Sequence, residues 1–298
     1  PGSETMARTL HIGCLQYCAG MDTDRNLRRI EKLLDRATGS GSQLVCLPEY
    51  ATCYGSRRGR LVVGAEEEYE HAGLLALRDM ARQRSIWMLI GSIAIKRSDG
   101  LINNRSYLID DSGNIMARYD KIHLFDVDLE GGESYRESDL VRPGEQAVLI
   151  ETPFGHLGLT ICYDIRFPQL YRTLAKAGAD ILFAPAAFTR KTGEAHWHTL
   201  VAARAIENCA YLVAPCQCGD QKGKLKRYGH SLIVSPWGEV LADGGESAGV
   251  ITATIDLDMM DAARRSIPAL QHDRLFEISV LPRQDRNVEE TKRTPTSS

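Results

Sequence analysis

Cys162 closes an apolar run over residues 157 to 161, and Tyr163, Asp164 and Arg166 follow before Pro168 opens a helical pattern. A thiol where a buried strand turns into a helix stands at a sheet edge, with N–H groups of the next turn free to bind an anion. A cysteine attacks as its thiolate, so a nucleophilic one needs a base or a positive field beside it. An arbitrary strand-end cysteine is more often an inert core thiol. The histidines near it in the chain, His156, His196 and His198, have no spacing that forces contact. Two other reactive types share its placement. Glu49 follows Pro48 at the end of LVCLP, and Lys121 ends a run in YDKIHL. A carboxylate there is most simply a solvated turn residue, but a buried one is a candidate general base. Lys121 alone reads as a surface lysine. Ligands of α/β sheets gather outside the carboxyl ends of strands, so a thiol, an acid and an amine at three such ends form a constellation.

The elements that must position them can be read along the chain. TLHIGCLQY, QLVCLPEY and IWMLIGSIAI are apolar runs suited to buried strands. Between them, Leu27, Ile30, Leu33, Leu34 and Ala37 recur at helical spacing, with Asp22 or Thr23 as cap and Gly39 as stop. EEYEHAGLLALRDMARQRS is a second amphipathic helix. SYLIDDSGNIMARYDKIHL reads as a hairpin turning at residues 111 to 114, and AVLIETPFGHLGLTICYD as another turning at 153 to 155. A helix is expected from 168 to about 177, the strand ILFAPAAF next, then a helix from about 194 to 208 and the strand YLVAPCQC. The hairpin HSLIVSPWGEVLAD, the strand VITATIDL and a short helix follow. Interleaved strands and helices argue an α/β fold with largely buried sheets. ATGSGSQLVCLPE and AKAGADILFAPAA echo each other, a hint of pseudo-symmetry. Residues 125 to 146 read as a long polar, Gly-rich loop, usually a functional feature in a compact domain. Residues 222 to 227 form a basic loop that reads as a solvated, mobile face.

With 298 residues, 43% hydrophobic and 25% charged, the composition is that of an ordinary soluble globular protein. A net charge of −3 argues against a broad nucleic-acid footprint, and no apolar run has transmembrane length. PGSETM, residues 1 to 6, reads as a cloning remnant and start, and residues 283 to 298 as a disordered tail. The eight cysteines sit mostly in apolar runs and read as reduced cytoplasmic thiols rather than a disulfide frame. Cys216 and Cys218 have no second pair at zinc spacing, so no structural metal site is expected.

LPEY, YDKIHL and CYDIRFPQLY, in that order, resemble the Glu, Lys and Cys signatures of the nitrilase superfamily of carbon–nitrogen hydrolases, over about residues 8 to 275. GEAHWHTLVAARAIEN, YGHSLIVSPWGEV and RRSIPALQHDR are similar to the amidase branch that contains omega-amidase and deaminated-glutathione amidase. CQCG followed by QHDR leans toward the latter. Tyr163 and Asp164 stand where nitrilases proper tend to have Trp-Glu, and the Asn-Asp and double arginine of carbamoylases are absent.

The resemblance implies an α/β, four-layer α-β-β-α sandwich over residues 7 to 282. It implies Cys162 as nucleophile, Glu49 as base, and Lys121 with the backbone N–H of Tyr163 on the oxyanion. It also implies a second glutamate, which YRES places at Glu137. Arg166 matches the arginine that family amidases use on a substrate carboxylate; a structural salt bridge is the equal alternative. Phe188, Thr189, Thr192 and His196 fall where the family lines its pocket. Tyr54 and Phe125 are further candidates, although an aromatic after a strand more often packs than contacts a ligand. Glu194 and Gln169 depart from the commoner T-G-P-A-H-W and R-F-P-E patterns and bear on side-chain preference. The implied reaction is metal- and cofactor-free hydrolysis of the terminal carboxamide of a small carboxylate. Deaminated glutathione or the amide of a 2-oxo dicarboxylic acid heads the substrates, and assembly as a dimer or tetramer is expected. The alternatives are another amidase or a nitrilase on the same triad, a thiol-based binding or redox protein, and a regulatory partner without turnover.

Overall fold

The computed structural model describes residues 8–57, 60–129, 133–220 and 226–281. The expected remnant at 1–6, the tail at 283–298 and residues 222–225 of the basic loop lie outside the described residues.

Short apolar runs become the central strands of two six-stranded sheets. In the first, β1 (Thr9–Gln16), β2 (Leu44–Cys46) and β3 (Trp87–Lys96) run parallel. β4 (Ile102–Ile109) and β5 (Ile115–Asp120) continue antiparallel. The second sheet has β7 (Gly155–Leu159), β8 (Ile181–Phe183) and β9 (Tyr211–Ala214) in parallel, with β6 (Val148–Thr152) antiparallel at one edge. Its other edge is β10 (Leu232–Val234) and β11 (Val240–Asp243). The last strand, β12 (Gly249–Asp256), returns to close the first sheet against β1. The orders are β12-β1-β2-β3-β4-β5 and β6-β7-β8-β9-β10-β11, one direction pattern used twice. β2 and β8, the middle parallel strands, are the LVC and ILF runs whose surroundings echo in the sequence.

Strand alternation creates the layers. In β2, Leu44 and Cys46 join the core shared with Leu157, Leu159 and Phe183 of the second sheet. Val45 between them packs outward among Ile30, Leu33, Leu34 and Leu77. Those residues belong to α1 (Thr23–Gly39) and α2 (Ala72–Arg84), which cover the first sheet. α3 (Pro168–Lys176) and α4 (Arg190–Asn208) cover the second, and α5 (Leu257–Ser266) follows β12. The expected α-β-β-α sandwich is the observed architecture. Among the described residues no helix is long and apolar enough to cross a membrane, and no disulfide forms.

Several elements differ from the sequence reading, among them two short ladders it did not foresee, Gly55–Arg57 with Arg60–Val62 and Cys218–Asp220 with Lys226–Tyr228. α2 begins at Ala72 because His71 Nδ1 caps the Leu74 N–H at 3.2 Å, while Glu66 accepts from Ala72 N–H at 2.8 Å. α4 begins at Arg190, four residues early, because Thr189 caps it. The span 125 to 146 carries a two-stranded ladder, Asp126–Leu129 with Glu133–Arg136, and a 3-10 turn, Glu137–Asp139. Its strands are only four residues each, DVDL and ESYR, too short for their alternation to stand out in a polar span.

A bulge in β3 aims the end of β2. The register against β4 shifts between Ile90 and Ile93. There Ser92 Oγ accepts from Tyr50 N–H at 2.9 Å, and Ser92 O accepts from Ala51 N–H at 2.8 Å. Tyr50 turns with φ +52°, and Glu49 is thereby held at the sheet edge. Gly91 lies against this turn, and a Cβ there would meet Leu47 O at 2.1 Å and Pro48 C at 2.5 Å. Both contacts are backbone and cannot yield cheaply. Gly91→Ala is expected to lower stability by about 2 kcal/mol or more in urea denaturation, and to reduce turnover by displacing Glu49. Unchanged unfolding midpoint and activity would refute this coupling.

Candidate active site

Four strand ends from both sheets deliver one buried cluster. Glu49 follows β2, Lys121 follows β5, Cys162 follows β7, and Ala187 follows β8. Glu49, Lys121, Glu137 and Cys162 are 3%, 2%, 7% and 8% exposed. Lys121 Nζ donates to Glu49 Oε1 at 2.9 Å and to Glu137 Oε2 at 2.8 Å. Glu49 Oε2 accepts from the Ala187 N–H at 2.9 Å. Cys162 lines the same cavity as Glu49 and Lys121. The strand that ends in Lys121 is fixed by its own N–H to Asn104 O at 3.0 Å and by Gly144 N–H to Lys121 O at 2.8 Å.

Electrostatics follow from this burial. Desolvation alone would pull the Lys121 ammonium down, but Glu137 and then Glu49 outweigh it and hold its pKa well above the ordinary lysine value. Burial pushes the Cys162 thiol well above its usual range, the Glu49 charge adds to this, and Lys121 opposes it. A standing thiolate is therefore disfavoured, so any reaction at this sulfur would need its proton to pass to an adjacent base as the bond forms. Burial and Glu137 raise the Tyr50 phenol, which stays a donor to Glu137 Oε1 at 3.2 Å.

Cys162 takes φ +47° at the head of a 3-10 turn, Cys162–Arg166, and its N–H donates to Pro185 O at 2.9 Å. Left-handed backbone at a β-carbon-bearing residue is strained and recurs at functional sites. The N–H of Tyr163, in the first turn, has no intrahelical acceptor. Asp164, fully buried, holds the elbow. Its Oδ2 accepts from Ile161 N–H at 2.9 Å and Tyr119 OH at 2.6 Å. Its Oδ1 accepts from His123 N–H at 3.0 Å. One carboxylate thus ties the cysteine turn to the segment bearing Lys121.

The cluster lies on a cavity of about 650 Å³. Of the residues expected from sequence, Glu49, Lys121, Glu137, Cys162 and Tyr163 line it, and so do Tyr54, Phe125, Phe188, Thr189 and Thr192. Thr189 and Thr192 also share a hydroxyl contact at 2.7 Å within the cap of α4. Arg166 and His196 are not among the lining residues. They meet each other at 3.3 Å, with the guanidinium over Phe188 and Tyr163.

Sequence reasoning missed three contributors. Asn104 Nδ2 bridges Glu49 Oε1 at 3.0 Å and Glu137 Oε1 at 3.1 Å. Tyr50 supports Glu137. Both sit inside or beside apolar strands without a signal of their own. The third corrects the reading of the basic loop as a solvated face. Lys226 is exposed, but Arg227 is 7% exposed and lines the cavity. A backbone bridge between Thr189 and Arg227 turns that side chain inward.

His198, His230 and Asp243 offer donor atoms within 4.8 Å of one another, a group that could hold a metal ion. They lie outside the cavity lining, and Asp243 already accepts from both rings, at 3.1 Å and 2.9 Å. That pairing accounts for the grouping without an ion.

Removing Asp164 leaves two buried donors, Ile161 N–H and Tyr119 OH, without their acceptor, each costing about 1–3 kcal/mol, and takes both part-buried contacts from His123. Asp164→Ala is expected to lose about 3 kcal/mol or more in chemical denaturation and to depress turnover. A variant as stable and active as the parent would rule out the tether.

The carbon-nitrogen hydrolase family model matches residues 11–265. Deaminated glutathione amidase of Yersinia enterocolitica is 37% identical over 96% of this chain and 100% of its own length. Omega-amidase NIT2 of Xenopus tropicalis is 35% identical over 86% of this chain and 92% of its own. The crystal structure of the Caenorhabditis elegans NitFhit protein superposes with TM-score 0.82 at 34% identity, over 89% of this chain and 65% of that longer one. The chain belongs to the carbon-nitrogen hydrolase family and is a nitrilase-superfamily amidase, a hydrolase of non-peptide carbon–nitrogen bonds in linear amides.

Proposed function

We propose that the chain hydrolyses the terminal carboxamide of a small carboxylated substrate to acid and ammonia through a thioester on Cys162. The observation that carries this reading is the contact of one buried ammonium, Lys121, with two carboxylates beside a buried thiol. Cys162 Sγ attacks the carbonyl carbon as Glu49 takes the thiol proton. The developing oxyanion is held by Lys121 Nζ and the Tyr163 N–H, and each such donor contributes ~10²–10³ in rate. The tetrahedral intermediate collapses, the C–N bond breaks, and Glu49 returns the proton to the departing ammonia. Glu49 then deprotonates a water that attacks the thioester carbon, and the acid leaves as the thiol is restored. Glu137 keeps Lys121 charged and aimed. No step needs a metal.

The names of the relatives support deaminated glutathione or the amide of a 2-oxo dicarboxylic acid as substrate. A cavity of about 650 Å³ accommodates either. The chain works as a dimer or tetramer, supported by the exposed apolar side chains of Ile206 and Trp237, 52% and 55% exposed, on the helical flank of the second sheet. A reducing cytoplasmic setting suits a thiol nucleophile.

Incubation with panels of ω-carboxylated amides and the matching nitriles, with ammonia assayed and the intact protein weighed after an early quench, tests the reaction. The expected result is ammonia from amides and a mass gain on Cys162 equal to substrate less ammonia. Cys162→Ala should lose turnover by at least about 10⁴-fold. Ammonia from nitriles alone would reject the reading, as would neither ammonia nor adduct across the panel. Sedimentation velocity at micromolar protein should give at least a dimer, and a monomer there would overturn the assembly.

A further inference from the structure

We infer that Arg227 is the residue that receives the substrate's carboxylate, and so selects dicarboxylic-acid monoamides over neutral amides. This specificity role rests on the amide-hydrolysis reading above.

A guanidinium this deeply buried costs several kcal/mol in lost solvation unless an anion offsets it. Among the described residues no carboxylate pairs with Arg227, and residues 221–225 beside it contain no acid. Glu49 is the carboxylate whose charge it feels most, yet Glu49 is spoken for. Its Oε1 accepts from Lys121 and Asn104, and its Oε2 from the Ala187 N–H.

Arg227 is held in place by neutral groups. Nη1 donates to Ala187 O at 3.0 Å, and Nη2 donates to the Tyr54 hydroxyl. Its charge lies 4.7 Å from the Tyr54 ring centroid, and Tyr54 stacks on Tyr50 at 5.4 Å. Five N–H donors are available on a guanidinium. Among the described residues the buried Nε–H has no hydrogen-bond partner. Burial lowers the group's pKa only to about 10, so it remains a cation at neutral pH. A rigid, desolvated fork with spare donors on a cavity wall matches a carboxylate in charge and shape.

Its distance from the chemistry also fits. Ala187 alone separates it from the general base: the N–H of that residue binds Glu49 and its carbonyl binds Arg227. Cys162 and Arg227 line the same cavity, so one small substrate could set its amide carbon at the thiol and its carboxylate at the guanidinium. Arg166, the arginine expected for this task, is engaged by His196 and two rings and does not line the cavity.

The test compares kcat/KM for pentanedioic acid monoamide and for the uncharged pentanamide in the parent protein and in Arg227→Met, Arg227→Lys and Arg166→Met. The ratio of the two cancels general losses of folding or chemistry. Arg227→Met should lower the charged-to-neutral ratio by about 100-fold, Arg227→Lys by less, and Arg166→Met by under threefold. A ratio unmoved by Arg227→Met, or moved only by Arg166→Met, overturns the inference. Calorimetric binding of glutarate reads the same contact without catalysis. At least tenfold weaker binding in Arg227→Met than in the parent supports it, even if neither amide turns over and the proposed reaction fails. Equal glutarate binding in both, or none in either, overturns it.

Discussion

A lysine ammonium taken out of water costs several kcal/mol unless its partners are good, and in this molecule the partners organise the centre. Lys121 contacts both Glu49 and Glu137. Each carboxylate is then completed by neutral donors: Ala187 N–H for Glu49, Phe125 N–H at 2.7 Å for Glu137, and Asn104 between them. With its anions and donors arranged around it, the cluster is stable only in nearly one geometry. That fixed geometry is also what the proposed oxyanion at Cys162 would require, because preorganised charge need not reorient during reaction.

The two sheets contribute unequally to this cluster, and neither builds it alone. Glu49, Lys121 and Asn104 come from the first sheet, and Cys162 and Ala187 from the second. The repeated direction pattern places the carboxyl ends of β2 and β8 at the same end of the sandwich, so that Pro48-Glu49 meets Pro185-Ala186-Ala187. The inter-sheet core therefore carries the site directly: a slip of one sheet over the other would break the Ala187 contact to Glu49 and the Asp164 contacts to Tyr119 and His123. The bulge at Gly91 and Ser92 and the Asp164 tether are the local devices that hold this register where it matters.

Around the reacting centre the cavity is aromatic and charged. Phe125 packs edge-on to Tyr163 at 5.2 Å, Tyr54 lies on Tyr50, and Phe188 leans on Trp197. Arg227 adds a second buried cation to the wall. Two carboxylates, an ammonium and a guanidinium sum to zero formal charge at the buried centre, and Arg136 and Asp139 on the cavity wall add one charge of each sign, so a bound anion would meet no net opposing field.

The alternation of apolar runs and 3.6-residue patterns already dictates twelve strands and five helices close to where they lie, because those periodicities are consequences of burial on one face. The signatures around Glu49, Lys121 and Cys162 are local too, since each needs a strand, a turn and one reactive group in sequence, and YRES carried Glu137 by the same kind of match. What the chain order could not express is which donors complete the cluster. Asn104 and Tyr50 look like ordinary strand and turn residues until the sheets pack and their amide and hydroxyl meet Glu137. Arg227 reads as one basic residue among several in a loop, and only the bridge to Thr189 turns it inward while Lys226 stays in water. The family resemblance offers Arg166 as a carboxylate anchor, with a structural contact as the equal alternative, and in the folded chain it meets His196. Local sequence determines the elements and the types of reactive group they end in. Tertiary packing decides which charges lose their water, and it is that loss of solvation that converts a surface arginine or asparagine into part of a site.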